Sequence, residues 1–425
     1  MKIKTVDKTY EEVLALPEAV HKRPVRQAKF WRGLLKTVSA GELKQVNFQY
    51  NQDSSMEEIE KKEPCLYLMN HSSFIDLKIA ATLIYPKPYH IVCTSDGFVG
   101  KENLMRALGC IPTRKFVTDV TLVKDMMHVS KKLKSSILMY PEASYSFDGT
   151  ATPLPRGLAK CIKMLGIPVV MIKTSGAFLR DPLYNNLQLR NVDVSADMKC
   201  ILTKEQVAEF PAKKIHELLR ESFSFDYFKE QMENQIEVTE DFRADGLDRV
   251  LYKCPHCQTE GKTKGRGILL TCDNCGKRYT LTELGSMQAE DGNTEFAHIP
   301  DWYRWERKCV REEIINGSYQ LDIPVKIGIM KDMKAIYMVG EGRLTHNQEG
   351  FHLTGCDGAL DYRQLPSASY SLYSDYFWYE IGDVICIGDS QMLYYCFPQT
   401  EESVVAKTRL AAEELYRQNL TESSK

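Results

Sequence analysis

Between residues 61 and 235, short apolar runs alternate with longer stretches of helical period. Cys65 to Met69, His90 to Cys93, Ser136 to Tyr140 and Pro168 to Ile172 have strand character, being short, apolar and bounded by polar or turn residues. Helical stretches run from Phe74 to Ile84, around 119–134 and around 156–165, and 211–233 closes the region. This alternation predicts an α/β domain over 61–235. From about 323 to 398 the pattern changes. Runs rich in Ile, Val, Tyr and Phe alternate with Gly, Asp and Asn, which predicts short strands joined by tight turns. His346-Asn347-Gln348-Glu349-Gly350 reads as a hairpin turn. Phe377 to Ile381 and Met392 to Phe397 read as strands, and about 402–418 as a final helix. The chain thus divides into a polar, helical segment (1–60), the α/β domain, a cysteine module (250–281), a helical linker (301–320) with Trp302 and Trp305, and a β-rich domain (321–420).

Within the first segment, residues 24–39 have a two-sided pattern. Wound at about 100° per residue, Ala28, Phe30, Trp31, Leu34, Leu35 and Val38 fall on one face. Arg26, Lys29, Arg32 and Lys36 fall on the other, with Pro24 at the first helical position,. An apolar face backed by basic charge suits an anionic membrane surface. A helix packed on its domain with solvated lysines is the simpler alternative. The longest apolar runs, such as Ile167 to Ile172, are far too short to cross a bilayer,. No signal-type apolar stretch occurs in Met1 to Ser39,. The expectation is a cytoplasmic protein peripheral to the membrane.

The length of 425 residues implies several domains,. A net charge of -2 gives no global basic field, so nucleic acid is not an expected partner,. Thirteen cysteines, an odd number, point to a reducing compartment in which close pairs bind metal,. Cys254-Pro255-His256-Cys257 and Cys272-Asp273-Asn274-Cys275 stand fourteen residues apart. That spacing predicts a four-cysteine zinc ribbon with Cys254, Cys257, Cys272 and Cys275 as ligands. Four sulfurs complete a tetrahedron, so the zinc would be structural and His256 a bystander. In the β-rich region, seven or so strands followed by one helix resemble a pleckstrin-homology-like domain.

The candidate chemistry starts at Asn70-His71-Ser72-Ser73-Phe74-Ile75-Asp76. On a continuous helix, His71 and Asp76 would point about 140° apart. They meet only if His71 lies in the loop and Asp76 in the first helical turn. A carboxylate on one ring nitrogen leaves the other free to act as a general base. Ser73-x-x-Asp76 is also a helix-capping pattern, which serves structure alone.

Four blocks in order resemble the glycerol-3-phosphate and lysophosphatidic acid acyltransferase family. They are Asn70-His71 to Asp76; Gly109-Cys110-Ile111-Pro112-Thr113-Arg114; Tyr140-Pro141-Glu142-Ala143-Ser144-Tyr145-Ser146; and Ile167-Pro168-Val169-Val170-Met171. The third is similar to the family's Phe-Pro-Glu-Gly-Thr-Arg-Ser, with Tyr145 where the family has Arg. Arg156-Gly157 resembles the basic-Gly pair that opens the next helix. The resemblance implies acyl transfer from acyl-CoA or acyl-carrier protein to a lysophospholipid hydroxyl. In that scheme His71 is the base, Asp76 its orienting partner, Glu142 an acceptor-positioning residue, and Arg114 and Arg156 phosphate contacts. Because Tyr145 removes a guanidinium, alternative acceptors are glycerol-3-phosphate or a non-phosphate alcohol. The remaining alternative is an inactive lipid- or protein-binding scaffold.

Overall fold

The computed structural model of the chain describes residues 2–117 and 119–422. The first strand, β1 (Thr5–Asp7), does not belong to the α/β domain. The α/β sheet comprises β2 (Gln49–Gln52), β3 (Leu66–Met69), β4 (Tyr89–Thr94), β5 (Cys110–Thr113), β6 (Ser136–Met139), β7 (Val169–Ser175) and β8 (Ser195–Leu202). Their order is β2-β8-β7-β3-β6-β4-β5, parallel except where β8 runs against β7. Central β3 is buried at every residue, as a strand covered on both faces must be,. The third-block loop follows β6, and the His71 loop follows β3 beside it. Both therefore open at the carboxyl edge of the sheet, where open α/β folds place their ligands.

The ribbon has four antiparallel strands: β9 (Thr263–Arg266), β10 (Leu269–Cys272), β11 (Arg278–Leu281) and β12 (Met287–Ala289). It extends beyond the expected boundary because β12 pairs with β11. The β-rich region contains β13 (Leu321–Met330), β14 (Ile336–Asn347), β15 (Gly350–Gly355), β16 (Leu360–Gln364), β17 (Tyr373–Trp378), β18 (Gly382–Gly388) and β19 (Leu393–Pro398). Their order is β16-β15-β14-β13-β19-β18-β17, followed by the helix Val405–Glu422. The expected hairpin at 346–350 forms between β14 and β15. The strand read at 377–381 instead ends at Trp378, with Tyr379 and Glu380 at positive φ in the turn that returns to β18.

Three sequence expectations need correction. Residues 1–60 are not simply helical: β1 pairs in parallel with β14 at Ile336–Met338, and β2 joins the α/β sheet. Each of these segments is short and polar, and it becomes a strand only because a distant strand supplies its hydrogen bonds. Residues 301–320 are not a mere linker. The helix Ile299–Ile315 buries Trp302 completely, with its indole N–H donating to the Lys253 carbonyl at 2.9 Å. One continuous apolar core runs from Leu66 in the α/β sheet through Leu270 and Trp302 to Ile327 and Leu410.

The third correction concerns the amphipathic helix, which spans Lys29–Gln45 and leaves Pro24 outside. Arg32, placed on the solvent face from sequence, is buried. Its guanidinium donates to the carbonyls of Gln27 and Pro86, at 2.7 and 3.1 Å. Phe30, Leu34 and Val38 are exposed, one turn apart on the outer face. The helix packs beside Ile75–Ile84, whose Phe74 and Leu77 also face solvent. The periodicity located the stripe but not its direction, because backbone carbonyls at 27 and 86 satisfy Arg32 inside.

Candidate active site

The loop after β3 is fastened from both ends. Asn70 is buried, its side-chain amide donating to the hydroxyl of Thr174 on β7 at 2.8 Å. Its Oδ1 accepts from the Thr174 amide at 2.8 Å. Tyr227, from the helix Tyr227–Glu233, hydrogen-bonds both Asn70 and the Ser72 hydroxyl. At the far end, the helix Ile75–Ile84 begins, and Asp76 lies in its first turn. Asp76 is fully buried, and its Oδ2 accepts three hydrogen bonds: from Ser72 N (2.8 Å), Ser73 N (3.0 Å) and His71 Nδ1 (3.1 Å). The histidine pairing forms, while of the capping pattern only the Ser73 amide to Asp76 bond does: the helix N-cap is Phe74, without a side-chain cap.

A carboxylate at Nδ1 holds the proton there and leaves Nε2 as the ring's lone pair. No described residue hydrogen-bonds Nε2, and the His71 side chain is 24% exposed, so an incoming hydroxyl can reach it. The backbone N–H of His71 donates to Glu142 Oε2 at 3.3 Å. Glu142 Oε1 accepts from the Thr152 amide at 2.8 Å and its hydroxyl at 3.2 Å. Burial pushes the Glu142 carboxyl up to about 7, against the pull of those hydrogen bonds and of the Arg409 charge. Ala143 adopts φ 58, in the left-handed region where the resembled motif has Gly. That costs a non-glycine residue roughly 1 kcal/mol, and it turns the chain sharply enough to aim Glu142 at the His71 loop.

His71, Asp76 and Glu142 therefore come together as one cluster. Arg114 and Arg156 do not touch it. Arg114 donates to the Gln391 carbonyl of the β-rich domain at 3.3 Å, and its Nε is buried with no hydrogen-bond partner among the described residues. Arg156 is exposed, its guanidinium 5.9 Å from the Tyr416 ring centroid.

Four residues near the cluster escaped the sequence reading. Tyr140 and Tyr145 stack on the imidazole of His71, with centroids 4.2 and 4.3 Å away. Tyr145, noted from sequence only as a missing arginine, thus becomes a wall of the histidine site, and Phe74 meets its other edge at 6.0 Å. Tyr227 and Arg409 are contributed from 157 and 265 positions away from their partners Asn70 and Ser144. No local pattern marks either one.

The four cysteines also converge. Their sulfurs all lie within 4.8 Å of one another, with Cys254–Cys275 at 3.8 Å and Cys257–Cys272 at 3.7 Å. His256 instead pairs with Glu295 at 3.2 Å. Such a group can hold a metal ion.

A histidine held by a buried carboxylate, at the carboxyl edge of an α/β sheet, is an arrangement suited to general-base chemistry,. Residues 52–175 match the family model described as Acyltransferase. A curated relative is the 1-acyl-sn-glycerol-3-phosphate acyltransferase BAT2, chloroplastic, of Brassica napus. It is 27% identical over 161 residues, covering 34% of this chain and 46% of that protein. The chain thus spans less than half the length of that relative. Among solved structures, the 1-acyl-sn-glycerophosphate acyltransferase PlsC of Thermotoga maritima matches with a TM-score of 0.34 and 12% identity, over 46% of this chain and 81% of that one. The sequence resemblance to the family is borne out.

Because the fold raises the Glu142 pKa above its ordinary value of 4.5, folding favours the protonated form,. That stabilising contribution is complete below pH 4.5 and is lost as pH rises through about 7. Between those limits, wild type should lose about 3 kcal/mol relative to Glu142→Gln, read as the difference in urea-unfolding free energy against pH. A pH-independent difference would place the Glu142 carboxyl in water.

Proposed function

We propose that the protein transfers a fatty acyl group from a thioester donor, acyl-CoA or acyl-carrier protein, to the hydroxyl of a lysophospholipid of the 1-acylglycerol-3-phosphate type. The observation that carries this reading is the His71 imidazole, held at Nδ1 by buried Asp76 with Nε2 free. Nε2 takes the proton of the acceptor hydroxyl as its oxygen attacks the thioester carbon. The tetrahedral intermediate collapses, the C–S bond breaks, and the imidazolium returns the proton to the leaving thiolate. Asp76 stabilises the imidazolium between those steps. Glu142, fixed on the His71 backbone, positions the glycerol portion. Arg114 is one phosphate candidate, its Nε having no hydrogen-bond partner among the described residues,. Arg156 is free in solvent to steer the same anion,.

The test is transfer from labelled acyl-CoA, and separately from acyl-carrier protein, to a panel of lysophospholipids, glycerol-3-phosphate and neutral alcohols. His71→Ala should reduce transfer by about a thousandfold or more. Retained activity in that variant, or no transfer from folded wild type to any acceptor, would remove the assignment.

The cysteine module supports a structural zinc reading. In a tetrahedron of Zn–S bonds of about 2.3 Å the sulfurs stand about 3.8 Å apart, and here Cys254–Cys275 and Cys257–Cys272 are 3.8 and 3.7 Å apart, with all four sulfurs within 4.8 Å. With all four positions taken by protein, the ion would hold the ribbon together rather than bind substrate. Elemental analysis should give about one zinc per chain, and chelation should expose Trp302, which packs on ribbon residue Tyr279 at 5.1 Å. Full metal depletion with unchanged Trp fluorescence would contradict this role. For the β-rich region, the β16-β15-β14-β13-β19-β18-β17 order with its following helix supports a pleckstrin-homology-like domain.

An anionic membrane surface is the partner that fits the outward face of Lys29–Gln45. Phe30, Leu34, Val38, Phe74 and Leu77 are exposed together, flanked by exposed Arg26, Lys29 and Lys36. No described helix is long and apolar enough to cross a membrane, so the contact would be peripheral,. Phe74 touches Tyr145, which packs on His71, so the exposed apolar residues include one that adjoins the histidine site. Phe30, Leu34 and Val38 changed together to Ser should abolish sedimentation with vesicles containing phosphatidylglycerol. Undiminished vesicle binding would place the membrane contact elsewhere.

A further inference from the structure

The C-terminal helix Val405–Glu422 follows the β-rich domain, yet it reaches the catalytic edge of the α/β sheet. Arg409 Nη2 donates to the hydroxyl of Ser144 at 2.9 Å, and both side chains are buried. Ser144 sits two residues after Glu142 and one before Tyr145. The guanidinium lies over the Phe147 ring, 4.4 Å from its centroid, in the continuation of the same loop. Its Nε faces Glu413 at 3.5 Å, but that carboxylate also pairs with Arg307 at 2.7 Å and accepts from the Ser371 hydroxyl at 2.7 Å. Arg307 also pairs with Glu414 at 3.1 Å, so Arg409 is held at the third block as one member of a network of Arg307, Glu413 and Glu414. Arg409 Nη1 is buried with no hydrogen-bond partner among the described residues.

A buried guanidinium is expensive to desolvate and is kept where its charge or its geometry is used. Here it stands beside the block in which the resembled motif has Arg and this chain has Tyr145. The C-terminal helix thus places a guanidinium beside this block, on an element 265 positions away from Ser144. The rest of the interface is consistent with the two domains sharing one site. Tyr373 and Trp378 hydrogen-bond Asp96 beyond β4, Ser369 donates to the Phe116 carbonyl, and Tyr376 packs on Phe147 at 4.6 Å.

We propose that Arg409 is a positioning residue of the acyltransferase site, fixing the Glu142–Tyr145 loop through Ser144 and supplying that loop's fixed positive charge from the C-terminal domain. The inference rests on the acyl-transfer reading for its kinetic consequence only. The titratable and charged groups facing Glu142 are His71 and Asp76 from the first block, Tyr227 from its helix, Tyr370 before β17, and Arg409 from the C-terminal helix. Among these Arg409 is the fixed cation, and its field favours the Glu142 carboxylate.

The full-length chain carrying Arg409→Gln, Arg409→Lys or Ser144→Ala tests this, with folding checked first by circular dichroism. Arg409→Gln should lower kcat by about tenfold to a hundredfold and move the acid limb of the kcat/KM profile upward by about one pH unit. Arg409→Lys should restore the acid limb but not the full rate, because an ammonium lacks the fork that holds Ser144. Ser144→Ala keeps the Arg409–Glu413 pair and should lower kcat without moving the limb. If Arg409→Gln does not fold, Arg409→Lys and Ser144→Ala decide the matter by that same split. Wild-type kinetics and pH profile in the folded variants would overturn the proposal, as would a uniform loss that simply follows melting temperature. If wild type transfers no acyl group, the acyl-transfer reading fails separately. The pH window of the Glu142→Gln stability difference then decides for Arg409: it should rise in an Arg409→Gln background, and an unmoved window overturns the charge role.

Discussion

The site depends on one oxygen, Asp76 Oδ2. It lies in a wholly buried carboxylate, accepts the amides of Ser72 and Ser73, and still reaches His71 Nδ1 at 3.1 Å. Two neutral amide donors offset the cost of burying the charge. The same bonds fold the four residues between His71 and Asp76 into a tight loop, which the helix Ile75–Ile84 then continues. Removing the carboxylate would release both the loop and the tautomer, so local fold and chemistry are a single constraint here. The tyrosines that sandwich the imidazole, and Asn70 anchored on β7, hold the remaining degrees of freedom.

Much of this was legible in the sequence, and what was not has a common cause. His71, Asp76 and Glu142 could be read because they sit in short motifs whose backbone geometry is set locally. The strands β3, β4, β6 and β7 were readable because parallel strands buried on both faces are continuous apolar runs. The four cysteines were readable because knuckle spacing is itself the geometry of the metal site. Arg32 was misplaced because charge predicts exposure unless buried carbonyls are waiting, and Pro86 lies 54 positions away. β1 was missed because its pairing partner is β14, and Tyr227 and Arg409 because their partners are equally remote. Non-local contacts decide these cases, and periodicity carries no information about them.

The ribbon and the β-rich region are not loose appendages to the α/β domain. A shared core passes through Trp302, and Lys407 of the last helix pairs with Glu260 of the ribbon and Glu313 of the preceding helix, both at 2.7 Å. The ribbon therefore braces the helix that brings Arg409 to Ser144. Burial of this kind transmits strain well, because packed interiors deform little. Disturbing the four-cysteine cluster should be felt at the third block.

The most direct measurement is the tautomer of His71, read by nitrogen NMR on protein with labelled histidine. The nine histidines are resolved by comparison with a His71→Ala sample. In the neutral ring, the expected result is a proton on Nδ1 and an unprotonated Nε2, shifting to the reverse or to a mixture in Asp76→Asn. A His71 ring protonated on Nε2 in the wild-type protein would contradict the account, since the nitrogen left unbonded by Asp76 could then accept no proton from an acceptor hydroxyl.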